Sequence, residues 1–133
     1  MTSGVPGAAA TTVSAVEHGA PDAPAISPGT GRVRVTVTRV DRPRGAAKVG
    51  DWFEVDGSRL ILPPGQSFCP YALNAVFPIV IMRQGDLPAD NWLVRKPYIC
   101  GPDAAENLVM RVEAVPADAV SLADAVSMAE VAS

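Results

Sequence analysis

From Arg32 to Thr38 the side chains alternate without a break, with Val33, Val35 and Val37 set against Arg34, Thr36 and Thr38. A period of two is what a strand with one buried face produces, so the ordered part of the chain is expected to open here. Asp41 to Gly50, with Pro43, Gly45 and Gly50, reads as a loop, and Trp52 to Val55 as a second strand. Asp56-Gly57 tolerates the backbone of a tight hairpin turn, which makes Arg59 to Leu62 the returning strand. Pro63-Pro64-Gly65 ends it.

The period changes at Pro70. Leu73, Val76, Phe77 and Val80 recur at i, i+3, i+4 and i+7, and Pro70 suits the first turn of a helix, where its missing N–H is not needed. Pro78 removes a donor in mid-helix and is expected to kink or divide it. Arg83 to Asp90 reads as loop. Trp92 to Cys100 reads as a strand interrupted by Pro97, an edge or bulged position, and Asn107 to Val115 alternates again as a closing strand. The expected fold is α+β: a small antiparallel sheet or partly open barrel of about five strands, packed on one Pro-kinked helix.

Both ends lack such patterns. Residues 1–31 are rich in Ala, Gly, Pro, Ser and Thr, with Pro6, Pro21, Pro24 and Pro28 in no sustained period, and are expected to form a disordered or loosely docked tail. Residues 116–133 hold an imperfect six-residue repeat, Ala117-Asp-Ala-Val-Ser121 followed by Ala123-Asp-Ala-Val-Ser127. Its side chains are too short to anchor a helix, so a fraying helix or a second disordered tail is expected. One domain, 32–115, remains, with room for one core.

Charge sharpens this division. The chain of 133 residues has a net charge of −3, yet all eleven Lys and Arg lie from Arg32 to Arg111 with nine acids interleaved, leaving that segment at +2. A weakly positive, mixed-sign domain lacks the dense basic stripe of a phosphate-backbone binder, so nucleic acid is not an expected partner. Two cysteines, Cys69 and Cys100, are too few for a disulfide-rich secreted scaffold or a four-cysteine zinc site. Without a secretory pattern at the N-terminus or an apolar run of about 20 residues, the expected location is cytoplasmic, with no membrane partner.

Chemistry is bounded mainly by what is missing. His18, the only histidine, falls in the N-terminal tail, and no Gly-rich phosphate cradle is present, so triad hydrolases, kinases and dehydrogenases drop out. No cofactor and no metal site are expected. Cys69 stands before a helix whose first N–H groups favour a thiolate, while the plainer reading is a small packed side chain. Cys100 ends a strand that the fold could bring near Cys69. Arg83, Asp86 and Asn74 gather around the helix and its following loop, where Asp86 and Arg83, together with Cys69, are the candidate catalytic residues. The alternative for Arg83 and Asp86 is a solvated surface ion pair. Trp52, Tyr71, Phe77 and Trp92 are candidate walls, with Asn74 as a polar contact; the aromatic residues serve equally well as core anchors.

Three runs, Lys48-Val-Gly-Asp51 continuing to Phe53-Glu-Val55, Cys69-Pro-Tyr-Ala-Leu73 with Pro78 after it, and Cys100-Gly-Pro-Asp103, together resemble a functionally uncharacterised family of small bacterial proteins of about ninety residues. The resemblance spans about Arg32 to Val115. Members of that family often carry a further cysteine before Val-Gly-Asp, where this chain reads Asp41-Arg-Pro-Arg-Gly-Ala-Ala47, so it implies a scaffold repurposed away from thiol chemistry. Nine Arg against two Lys, with abundant Ala, suggest a high-GC genome. By analogy the chain is expected to be a small-molecule binding or transforming protein, such as a cofactor-free cyclase or isomerase of bacterial specialised metabolism. Its pocket would lie between the sheet and the Pro70 to Arg83 helix. A thiol-based metal or redox protein using Cys69 and Cys100, and a non-catalytic interaction module, are the alternatives. Expected partners are a small apolar substrate or ligand, with a second copy or a partner enzyme as protein contacts.

Overall fold

A computed structural model describes residues 25–119; the expected disordered tails and the C-terminal repeat lie largely outside the described residues. The strands are β1 (Ile26–Ser27), β2 (Arg32–Arg39), β3 (Trp52–Asp56), β4 (Arg59–Ile61), β5 (Leu87–Pro88), β6 (Tyr98–Cys100) and β7 (Val109–Ala114). Two helices interrupt them, α1 (Pro70–Arg83) and α2 (Trp92–Arg95). Five strands form an open antiparallel sheet in the order β4-β3-β2-β7-β6, and β1 pairs with β5 in a separate two-stranded ribbon. The fold is α+β, and the sheet does not close into a barrel.

The valine alternation of β2 decides which face of the sheet is buried. Val33 stands opposite Val55 and Val35 opposite Phe53, while on the other side Val35 meets Val112 and Val37 meets Met110. Directly paired residues share a face, so these side chains form one apolar layer. Helix α1 covers it with Ala72, Val76 and Val80, one residue per turn, all fully buried. Leu73 and Phe77 flank that row half-buried, a small rotation from the face expected from their spacing. Phe53 is the largest fully buried side chain among the described residues, with its ring edge-on to Phe68 at a centroid distance of 4.8 Å.

Pro78 does not divide α1, which runs unbroken from Pro70 to Arg83. The hydrogen bond it forgoes is the one to the carbonyl of Asn74, four residues back, and both residues are exposed, so water can satisfy that carbonyl. The segment expected as a strand from Trp92 instead begins with a helical turn. Asn91 accepts a hydrogen bond from the Leu93 N–H at 2.9 Å, a side-chain cap that starts α2, and the strand is confined to β6.

The ordered chain also begins earlier than Arg32. Ile26–Ser27 pairs with Leu87–Pro88, so part of the expected tail and part of the expected loop after α1 form a ribbon instead. Neither two-residue strand is long enough to show a period. The Phe53→Ala variant is expected to lose about 3–5 kcal/mol of unfolding free energy. Tyr71→Ala, at a side chain that is 74% exposed, should lose no more than about 0.5 kcal/mol. Urea titration followed by circular dichroism measures both.

Candidate functional site

The turns at one end of the sheet are built by side chains that bond to backbone. In Lys48-Val-Gly-Asp51 the Lys48 N–H donates to Asp51 Oδ2 at 3.0 Å and the Asp51 N–H to the Lys48 carbonyl at 3.0 Å. Gly50 has φ +97°, a conformation in which a β-carbon would be strained. The motif is therefore a turn that closes β2 onto β3. On the far side, Asp103 Oδ1 accepts from the Ala105 N–H at 3.0 Å and the Glu106 N–H at 3.4 Å, shaping the loop before β7.

These two loops are fastened to each other. The Glu106 carbonyl accepts from the Asp41 and Arg42 N–H groups, and its carboxylate Oε2 accepts from the Arg44 N–H at 3.1 Å. Arg44 Nε lies 3.2 Å from Asp103 Oδ2. Asp41 accepts from Arg39 and from Asn107, and these hydrogen bonds, Arg39 first, hold its carboxyl below the usual carboxylate range.

Between the joined loops and the N-terminal end of α1 lies a groove of about 630 Å³. Ala46, Ala47, Phe68, Tyr71 and Ala72 supply apolar wall, and Arg44, Asp103 and Glu106 the polar part. Cys69 belongs to the same wall as the capping residue of α1, without a side-chain cap hydrogen bond.

Of the expected site residues, Cys69 and Tyr71 reach this groove and the others are dispersed. Arg83 lies on the buried face of α1, near its C-terminal end and 5% exposed, with its Nη1 donating to the Gly85 carbonyl and its Nη2 to Ser27 Oγ and the Pro28 carbonyl. Burial pushes its guanidinium down from the ordinary value, and Asp86 opposes that. Asp86 accepts from the Gly29 N–H at 2.7 Å. The Arg83–Asp86 pair thus fastens residues 27–29 across the end of α1, and the two form no ion pair within 4 Å of each other. Asn74 is exposed on α1. Phe77 borders a separate depression beside Leu60 and Ile81. Trp92 is half-exposed at the start of α2. Trp52 precedes Phe53 in β3, and the strand alternation therefore turns it to the sheet face away from α1.

The same alternation separates the two cysteines. Ile99 pairs with the fully buried Met110 and faces α1, so its neighbour Cys100 points to the opposite side of the sheet, while Cys69 packs against the core on the helix side. Among the described residues no group of three or more His, Cys, Asp or Glu is placed to hold a metal ion, and no helix is long and apolar enough to cross a membrane. His18 lies outside the described residues. Sequence reasoning missed Arg44, Ala46, Ala47 and Glu106 as groove residues. They stand in loops without periodicity, where the spacing of residue types does not mark a groove wall.

No family model, curated protein or solved structure matches the chain.

The segment over the end of α1 is tightly seated, because a β-carbon on Gly29 would stand 2.2 Å from the Gly85 carbonyl carbon. Removing the clamp with Arg83→Ala should raise amide hydrogen exchange at Gly29 and Gly31 by about tenfold or more, while Val35 in the sheet stays protected. Equal rates in the variant and the parent would assign the seating to the β1–β5 ribbon alone.

Proposed function

We propose that this protein binds a small, largely apolar molecule in the groove between the Arg44 to Ala47 loop, the Pro102 to Glu106 loop and the N-terminal end of α1. The observation that supports this reading is the groove itself. Its volume of about 630 Å³ lies within the roughly 300–1,000 Å³ of small-ligand pockets, and its apolar wall with a few charged groups has the composition such pockets need. The interior between sheet and helix, the location expected from sequence, is occupied by Val76, Val80 and Phe53, all fully buried.

The enzymatic form of this reading is a cofactor-free cyclase or isomerase that holds an apolar substrate in a reactive shape and away from water. Of the three residues expected to act in catalysis, Cys69 alone borders the groove, so binding is the firmer part of the proposal.

A neutral apolar fluorophore, N-phenyl-1-naphthylamine, provides the test. It should bind the full chain in the micromolar range, and Ala46→Trp, which fills the groove from an exposed loop position, should weaken it at least tenfold. Ile81→Ala, beside the separate depression under β4, should leave binding unchanged. Binding that ignores Ala46→Trp, or no binding at all, would remove this reading.

A further inference from the structure

Within the groove, Glu106 stands out electrostatically. Its residue surface is 9% exposed, one carboxylate oxygen accepts the Arg44 N–H, and among the described residues the other accepts no hydrogen bond. A carboxylate offers about four acceptor positions, and burying it with most of them unfilled is unfavourable unless something else supplies donors. Among the described residues the only cation bordering the groove, Arg44, directs its Nε to Asp103 rather than to Glu106. Among the described residues Glu106 takes part in no salt bridge, and with Arg44 and Asp103 offsetting each other the groove has a net charge of about −1.

The wall adds a second feature of the same sign. The Tyr71 ring, on the first turn of α1, is three-quarters exposed and borders the groove together with Phe68. An aromatic face attracts a cation through its quadrupole and also covers an apolar body. The N-terminal end of α1 works against this, with a partial charge of roughly +0.5. That is smaller than the full charge of Glu106. Pro70 at the first helical position also removes one of the N–H groups that produce it.

We propose that the groove selects a cationic small molecule, an ammonium on an aryl or alkyl body, with the ammonium at the free oxygen of Glu106 and the body against Tyr71, Phe68 and Ala46. This rests on the groove being a ligand site and goes further by naming the ligand's charge.

Three probes on one frame test it: 4-phenylbutylamine, 4-phenylbutanol and 4-phenylbutyrate, each titrated into the full chain by isothermal calorimetry at neutral pH. The amine should bind at least tenfold more tightly than the alcohol, and the carboxylate more weakly than either. Glu106→Gln should bring the amine to within about twofold of the alcohol, and Tyr71→Ala should weaken the amine severalfold. The proposal is overturned if the alcohol or the carboxylate matches the amine on the parent protein, or if the amine's advantage survives Glu106→Gln. If Glu106→Gln fails to fold because the Arg44 loop is released, the order of the three probes on the parent decides the matter alone. Fluorophore binding without any amine preference defeats the charge assignment and leaves the groove reading standing. Loss of both defeats the groove reading itself.

Discussion

Everything in this fold depends on the contact between one face of the β3-β2-β7 strands and helix α1. The strands contribute Val33, Val35, Val37, Phe53, Met110 and Val112 to a single layer, and α1 presses Ala72, Val76 and Val80 into it. A chain this short can bury only one such layer, so the helix has to lie on the middle of the sheet. The ends of the layer are left to loops. At the end where α1 begins, the 41–51 and 101–108 loops meet and are held together through Glu106 and Asp41. The groove is the space between those loops and the helix terminus, and its position follows from the helix–sheet contact. At the opposite end, where α1 finishes, the Ser27 to Gly31 segment closes the layer instead, through Arg83, Gln84 and Asp86.

Much of this layer was legible from residue order. The strand β2, the helix from Pro70 and the strand β7 each repeat a period over enough residues to declare themselves, and the Asp56-Gly57 turn declares the β3-β4 hairpin. The elements that did not declare themselves are short and depend on tertiary contacts. β1 and β5 are two residues each and exist because the N-terminal segment crosses the end of α1. The first turn of α2 depends on Asn91, whose capping side chain outweighs the strand preference of Trp92 and Val94 once Leu93 is drawn fully into the core. A cap is visible in sequence, but its weight against a neighbouring strand pattern is set by burial that only the fold supplies.

The site was less legible, for a different reason. Arg83 and Asp86 attracted a chemical reading because charged residues beside an apolar helix can line a pocket. In the structure their partners are the Gly85 and Pro28 carbonyls, Ser27 and the Gly29 N–H, in a segment that showed no pattern of its own. Glu106 had the converse problem. Its carboxylate bonds to the backbone of Arg44, 62 residues away, and a bond from a side chain to a distant main-chain amide leaves no trace in the spacing of residue types.

The Lys48 to Val55, Cys69 to Leu73 and Cys100 to Asp103 runs each have a backbone reason for their residues. Gly50 permits the turn that Asp51 closes; Pro70 fits the first position of α1; Asp103 folds the loop before β7 onto its own amides. Such residues fix the frame of the groove, and Pro70 and Asp103 also border it. Ala46 and Tyr71 are exposed, and neither holds a neighbouring element in place through a hydrogen bond. Changes there would reshape the groove wall at little cost to folding, whereas changes at Gly50 or Asp103 would move the loops that form it. On this argument Gly50, Pro70 and Asp103 shape the groove, Ala46 and Tyr71 border it without holding it together, and Glu106 does both.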